Sequence, residues 1–137
     1  GRGNFHMLPN GVFHVRGPHA GVQETRAFIA ANTTPDFATQ SGPMLVIGGA
    51  VHPRFQTDGE SLKIRNGVGV TRSGAVMFAL SRKPVSFGAF ARLFRESLHC
   101  PDALYLDGTI SVLYAKGLGV FGGLFPVGPL IVVKRKP

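Results

Sequence analysis

The sequence is short of acid, of cysteine and of long apolar runs, and each shortage closes off a class of function. Seven Asp and Glu stand against fifteen Lys and Arg over 137 residues, a formal net charge of +8. The surplus is spread from Arg2 to Lys136 and gathers only in the terminal KRKP, so it suits an anionic ligand or surface without specifying which. A nucleic-acid partner would call for a basic stripe with stacking aromatics or a reading module. Zinc-finger spacing, an RNP-like motif and a basic helix are all missing, so none is expected. The longest apolar runs, GAVMFAL and GPLIVV, fall well below the roughly 18 to 20 residues of a membrane span. The opening GRGNFHMLP lacks the apolar centre of a signal peptide. Cys100 stands alone, which excludes an intrachain disulfide, leaves the redox compartment open and reads most simply as a small buried hydrophobe. His6, His14, His19, His52 and His99 show no ligand spacing, so neither a metal nor another cofactor is expected.

What is abundant is punctuation. Nineteen glycines and ten prolines cut the chain into short apolar segments, the pattern of a strand-rich domain with many turns. The length fits one domain over residues 1–137. NFHMLPNGVFHV reads as a first hairpin, Phe5 to Leu8 and Val12 to Val15, turning at Pro9, Asn10 and Gly11. ETRAFIAA, Glu24 to Ala31, reads as a short helix. GPMLVIGGAVHP is a second hairpin turning at Gly48 and Gly49, and VGVTRSGAVMFAL a third, turning over Thr71 to Gly74. Residues 75–80 are apolar on both faces, which predicts a central strand. After Ser86 as N-cap, Phe87, Phe90, Ala91, Phe94 and Leu98 recur with helical spacing and predict one helix over Phe87 to His99. ALYLD then returns as a strand, making 75–107 a βαβ unit with a right-handed crossover. A glycine-rich loop from Gly117 to Gly128 should lead into a last strand, PLIVV. The expected fold class is therefore α+β (mixed α/β), a strand-rich mixed sheet with one main helix.

Ligands collect at the carboxyl ends of strands joined in this way, and Asp107 lies at such an end in YLDGTIS. Two readings of Asp107-Gly108 stand side by side. In one, Asp accepts a local backbone hydrogen bond and Gly takes positive φ in a turn. In the other, the carboxylate faces a ligand, the glycine lets that ligand approach the backbone, and Thr109 and Ser111 offer hydroxyls. Upstream, IRNGVGVT sets Arg65 and Asn66 before a strand. An arginine fork suits phosphate and an asparagine amide can orient a hydroxyl, whereas a solvated arginine at a loop end is the plainer alternative. Gly67 and Gly69 are too few for a dinucleotide fingerprint. Gln40 and Ser41, in ATQSGPML, could line a site or cap a loop. Ser41 lacks the glycine two residues earlier that a nucleophile elbow needs.

Taken together, ATQSGPMLV, RNGVGV, PVSFGAFARLF and CPDALYLDGTIS, in this order and at these intervals, resemble the phosphodiester glycosidase family, most closely its bacterial branch, over about two-thirds of the chain. The resemblance implies a mixed α/β domain hydrolysing a sugar-phosphate diester, such as an N-acetylglucosamine 1-phosphodiester, at the glycosidic bond. It also implies a phosphorylated sugar or anionic polysaccharide, an exopolysaccharide for example, as partner and a periplasmic or extracellular setting. Residue by residue, it assigns Arg65 to the phosphate and Asp107 to the anomeric carbon or to water. Asn66, Gly108, Thr109 and Ser111 fall beside them, and Gln40, Ser41 and Gly42 match a polar loop before a strand. Family members carry an upstream Asn-Gly-Gly-like or Asn-Ala-Gly-like motif, and this sequence starts after its place, which implies an N-terminally incomplete domain. A non-catalytic module binding anionic polysaccharide through the same basic surface is the alternative function, and a purely structural fragment is a third.

Overall fold

A computed structural model describes residues 7–55, 59–108, 110–123 and 130–134. The chain begins with a three-stranded antiparallel sheet of order β2-β1-β3, built from β1 (Gly11–Arg16), β2 (His19–Glu24) and β3 (Phe37–Ser41). This corrects the first hairpin, of which Phe5 and His6 lie outside the described residues. Gly11 lies inside a strand, and the turn falls at Gly17, whose φ of 55° suits glycine and whose N–H donates to Asp36 at 2.6 Å. Gly11 is glycine for a packing reason: a Cβ there would run into the Met44 sulfur. The short helix forms as expected as α1 (Thr25–Ala30), capped by the Glu24 carboxylate, which accepts from the Ala27 N–H at 3.0 Å.

The second sheet has five strands in the order β5-β4-β8-β6-β7. They are β4 (Met44–Ile47), β5 (Ala50–Val51), β6 (Asn66–Val70), β7 (Val76–Leu80) and β8 (Asp102–Asp107). Gly48 and Gly49, both at positive φ, turn β4 into β5, and the Gly74 N–H closes the β6–β7 turn on the Thr71 carbonyl, both as expected. α2 (Phe87–Arg92) starts at Ser86, whose hydroxyl accepts from the Ala89 N–H at 3.0 Å. It continues as one wider π turn over Leu93–Ser97, closed by the Leu98 N–H on the Leu93 carbonyl, and stops before His99, which adopts a φ of 53°.

Strands β7 and β8 flank α2 in sequence and run parallel, but β6 lies between them, antiparallel to both. β7 is therefore an edge strand rather than a central one. It is apolar on both faces because Met77 and Ala79 pack on the helix side while Val76 and Phe78 pack on the other. One core, with Leu45, Phe90, Ala91, Phe94, Cys100 and Tyr105, fills the space between this sheet and α2. A second, with Phe13, Val22, Met44, Val68 and Leu104, fills the space between the two sheets. The molecule is thus layered as sheet, sheet, helix. The alternating glycines of β6 set the depth of the helix. A Cβ on Gly67 would stand 2.8 Å from the Leu104 carbonyl oxygen of β8 and 3.2 Å from Phe90 and Phe94, and one on Gly69 2.8 Å from both Cys100 Sγ and Phe94, so glycine at both positions lets β8 and the helical segment lie this close.

β9 (Val112–Ala115) and β10 (Gly119–Gly122) form a separate antiparallel hairpin, so part of the expected glycine-rich loop is strand. Residues 124–129 of that loop lie outside the described residues. The expected last strand is corrected as well: Leu130 to Lys134 are exposed and form no strand, since no described strand pairs with them.

Candidate functional site

The carboxyl end of β8 is held by a short chain of side-chain hydrogen bonds. Asn66 opens β6 directly opposite Asp107, but the next pairing joins Gly67 to Tyr105, so Leu106 is an extra residue bulged out of the ladder. The bulge leaves the Leu106 carbonyl off the ladder, and the buried Ser41 hydroxyl donates to it at 2.9 Å. It also sets Asp107 so that its N–H donates to Asn66 Oδ1 at 3.0 Å. The same Asn66 amide donates from Nδ2 to the Ser111 hydroxyl at 2.8 Å, and that hydroxyl donates in turn to the Gly108 carbonyl oxygen. Both hydrogen-bonding atoms of Asn66 are therefore used on the segment 107–111, at about 1 kcal/mol net for each bond. That segment is fixed at both ends while the Asp107 side chain remains exposed. One carboxylate oxygen accepts from the Gly108 N–H at 2.6 Å.

Neither sequence reading of Gly108 is complete. Asp107 does accept a local backbone bond, but Gly108 is not among the glycines with positive φ. Its lack of a side chain serves contact: a Cβ there would stand 2.6 Å from the Tyr105 hydroxyl oxygen, and Gly108 itself is buried. Thr109 lies outside the described residues.

Arg65 differs from its expected setting. Alternation along the strand sends its side chain to the helix face of the sheet, opposite to Asn66. It is 1% exposed, with the guanidinium 3.5 Å from the Phe87 ring centroid and 5.7 Å from that of Tyr105. Nε donates to the Val85 carbonyl and one terminal nitrogen to the Ser61 carbonyl, each at 2.9 Å. Burial lowers its pKa, and the interaction with Tyr105 opposes that shift. A fork engaged in this way is a fixed charge beneath the strand end, not a side chain open to solvent.

The polar loop matched upstream is also placed differently. Gln40 and Ser41 belong to β3, and Gly42 joins it to β4 against Asn10, whose amide oxygen a Cβ on Gly42 would strike. Ser41 joins the strand-end network. Gln40 turns away from it and donates to the Thr25 hydroxyl at 3.2 Å.

A cleft of about 280 Å³, which sequence reasoning missed, opens beside Ser111. It lies between the end of β7 and the β9–β10 hairpin and is lined by Ser81, Arg82, Ile110, Ser111, Phe121 and Gly122 among others. Arg82 is exposed, with its guanidinium 5.2 Å from the Phe121 ring centroid. A basic residue just past a strand end was the only available sequence signal. A larger cleft of about 430 Å³ lies on the outer face of the first sheet around His14, Arg16 and Phe28. Among the described residues no three His, Cys, Asp or Glu gather as metal ligands, and no helix is long and apolar enough to cross a membrane.

The family model for phosphodiester glycosidase matches residues 1–133. The chain is also 41% identical over 136 residues to the uncharacterized protein YigE of Escherichia coli (strain K12), covering 99% of this chain and 53% of that protein. It therefore spans about half the length of the curated relative it matches. A solved structure, that of a hypothetical protein from Synechocystis, aligns with a TM-score of 0.46 at 17% identity over 75% of this chain and 29% of the other. The chain belongs to the phosphodiester glycosidase family.

Proposed function

We propose that this member of the phosphodiester glycosidase family hydrolyses the glycosidic bond of a sugar-phosphate diester, with Asp107 acting at the anomeric carbon or on the attacking water. The observation that carries this reading is an exposed carboxylate at a strand end whose backbone is pinned by Asn66 and Ser111, because catalysis rewards groups held before the substrate arrives. In the reaction the bond between the sugar C1 and the phosphate oxygen breaks and the phosphate leaves with the electron pair as a monoester on its aglycone. Water supplies the oxygen that ends on C1. The transition state carries oxocarbenium character, which a nearby carboxylate stabilises. The departing phosphate is a weak base, so it needs no general acid of the kind ordinary glycosidases use. Arg65 contributes a fixed positive charge from beneath the strand end, felt at longer range because it is buried. The N-acetylglucosamine 1-phosphodiester class fits this chemistry.

Phosphorus NMR of such a diester with the chain and with Asp107→Asn tests the reading. A phosphomonoester and free sugar are expected with the unmodified chain, and loss of at least a hundredfold in rate with the variant. Sugar 1-phosphate as product would refute it, since that requires cleavage at phosphorus. The proton spectrum of the first-formed anomer then separates the two roles of Asp107: inversion excludes a covalent intermediate on the carboxylate. The formal charge of +8 favours one other reading, a module that binds anionic polysaccharide without turnover. In that case no diester is consumed and Asp107→Asn loses affinity for the polysaccharide.

A further inference from the structure

We propose that Arg82, at the mouth of the cleft beside Ser111, is the side chain that contacts the phosphate of the diester. The inference rests on the hydrolytic reading for its ligand, and on the cleft for its place. Asp107, Asn66 and Leu80 form one cross-strand row over β8, β6 and β7. Two strand spacings separate the ends of that row, roughly 10 Å. Arg82 follows Leu80 by two residues, and its neighbour Ser81 is tied to the same row, donating from its N–H to the Arg65 carbonyl and accepting the Arg65 N–H at 2.9 Å. The cleft that Arg82 lines shares Ser111 with the network that holds Asp107. A sugar lying over Asp107 with its C1 substituent directed along this row would bring its phosphate to the cleft.

The two arginines contrast in availability. Arg65 is enclosed and donates to two carbonyls. Arg82 is exposed and shares no hydrogen bond or ion pair with any described residue. Its guanidinium rests near the Phe121 ring, a contact that steadies the group while leaving its N–H donors free for a bidentate anion. Opposite stands the hairpin at Gly122, where a Cβ would strike the Ser111 carbonyl oxygen, so glycine lets that wall close against Ser111.

Binding can be read without turnover by placing the test in the Asp107→Asn variant. Isothermal titration with methyl N-acetylglucosamine 1-phosphodiester should give a Kd at least tenfold weaker after Arg82→Gln, with part of the loss restored by Arg82→Lys. Arg72→Gln removes the same charge from the turn at the far end of β7 and should change Kd less than twofold. A Kd unchanged by Arg82→Gln, or weakened equally by Arg72→Gln, overturns the proposal; if the unmodified chain still hydrolyses the diester, the hydrolytic reading survives that result. Selective weakening by Arg82→Gln in a chain that never turns over diester establishes the anion site and sinks the hydrolytic reading instead.

Discussion

Gly108→Ala probes the packing beneath the candidate site with one methyl group. The new Cβ would stand 2.6 Å from the Tyr105 hydroxyl oxygen, 0.8 Å inside the 3.4 Å at which ordinary contact begins, whereas its next neighbour, the Ile64 carbonyl oxygen, is 3.6 Å away. Tyr105 cannot swing aside: it is 1% exposed, its ring meets Phe87 edge-on at 4.9 Å, and its hydroxyl interacts with Arg65. Because Gly108 is not at positive φ, alanine adds no backbone strain, and the whole cost is overpacking of about 1–3 kcal/mol. At about 2–5 °C per kcal/mol for a chain of this size, Tm should fall by roughly 2–15 °C. Tyr105→Phe deletes the obstructing atom at a cost of up to about 1 kcal/mol for the hydroxyl's interaction with Arg65. In that background Gly108→Ala should cost less than about 0.5 kcal/mol, so the double-mutant cycle closes with a coupling of about 0.5–3 kcal/mol. Urea unfolding of the four proteins measures it. Additive losses would refute the claim that glycine is required at 108 by the Tyr105 hydroxyl.

Arg65→Met should destabilise the chain by about 2–4 kcal/mol, since it takes a donor from the Ser61 and Val85 carbonyls, of which Val85 keeps the Lys63 N–H, and removes the cation from the Phe87 face; a Tm within 1 °C of the parent protein would contradict its place in the packing. Gly69→Ala should cost about 1–3 kcal/mol, because its Cβ meets Cys100 Sγ and Phe94 at 2.8 Å, and Cys100→Ala should recover part of that loss in thermal melts. His14 has its pKa lowered from 6.5 by burial against Phe28. The unfolded chain thus binds the proton more readily, so this contribution is complete above pH 6.5 and fades as pH falls toward the folded-state pKa. His14→Gln should flatten the decline of Tm between pH 7 and 5, and an unchanged slope would remove His14 from the account.

Local pattern was legible wherever neighbours in sequence settle the structure. The glycine pair at 48–49, the turn at 71–74, the Ser86 cap and the phenylalanine spacing of α2 all depend on a few consecutive residues, and all four appear in the structure. Signals with two physical causes misled. Pro9-Asn10-Gly11 carries turn residues, yet Gly11 is small because Met44 lies against it in space. Gly67 and Gly69 read as an interruption of a strand and as too few for a dinucleotide fingerprint, and their cause is the closeness of the Leu104 carbonyl, Phe94 and Cys100. The apolar run at 75–80 reports coverage on two faces but not its rank in the sheet, since an edge strand between two cores has the same composition.

The sequence by itself determined the class of fold, the single helix on the sheet, the strand that ends at Asp107 and the kinship carried by four spaced motifs. Those properties are encoded in periodicity and spacing along the chain. Only the tertiary structure decided which polar groups meet. Asn66 and Ser111 are 45 residues apart and bond at 2.8 Å, Ser41 reaches over 65 residues to Leu106, and the bulge at Leu106 exists only in the pairing of β6 with β8. Arg65 and Arg82 look alike as basic residues near strand ends, yet the face to which each side chain turns buries the first and exposes the second. That choice depends on strand register and on what packs above each face, and both are relations between distant segments.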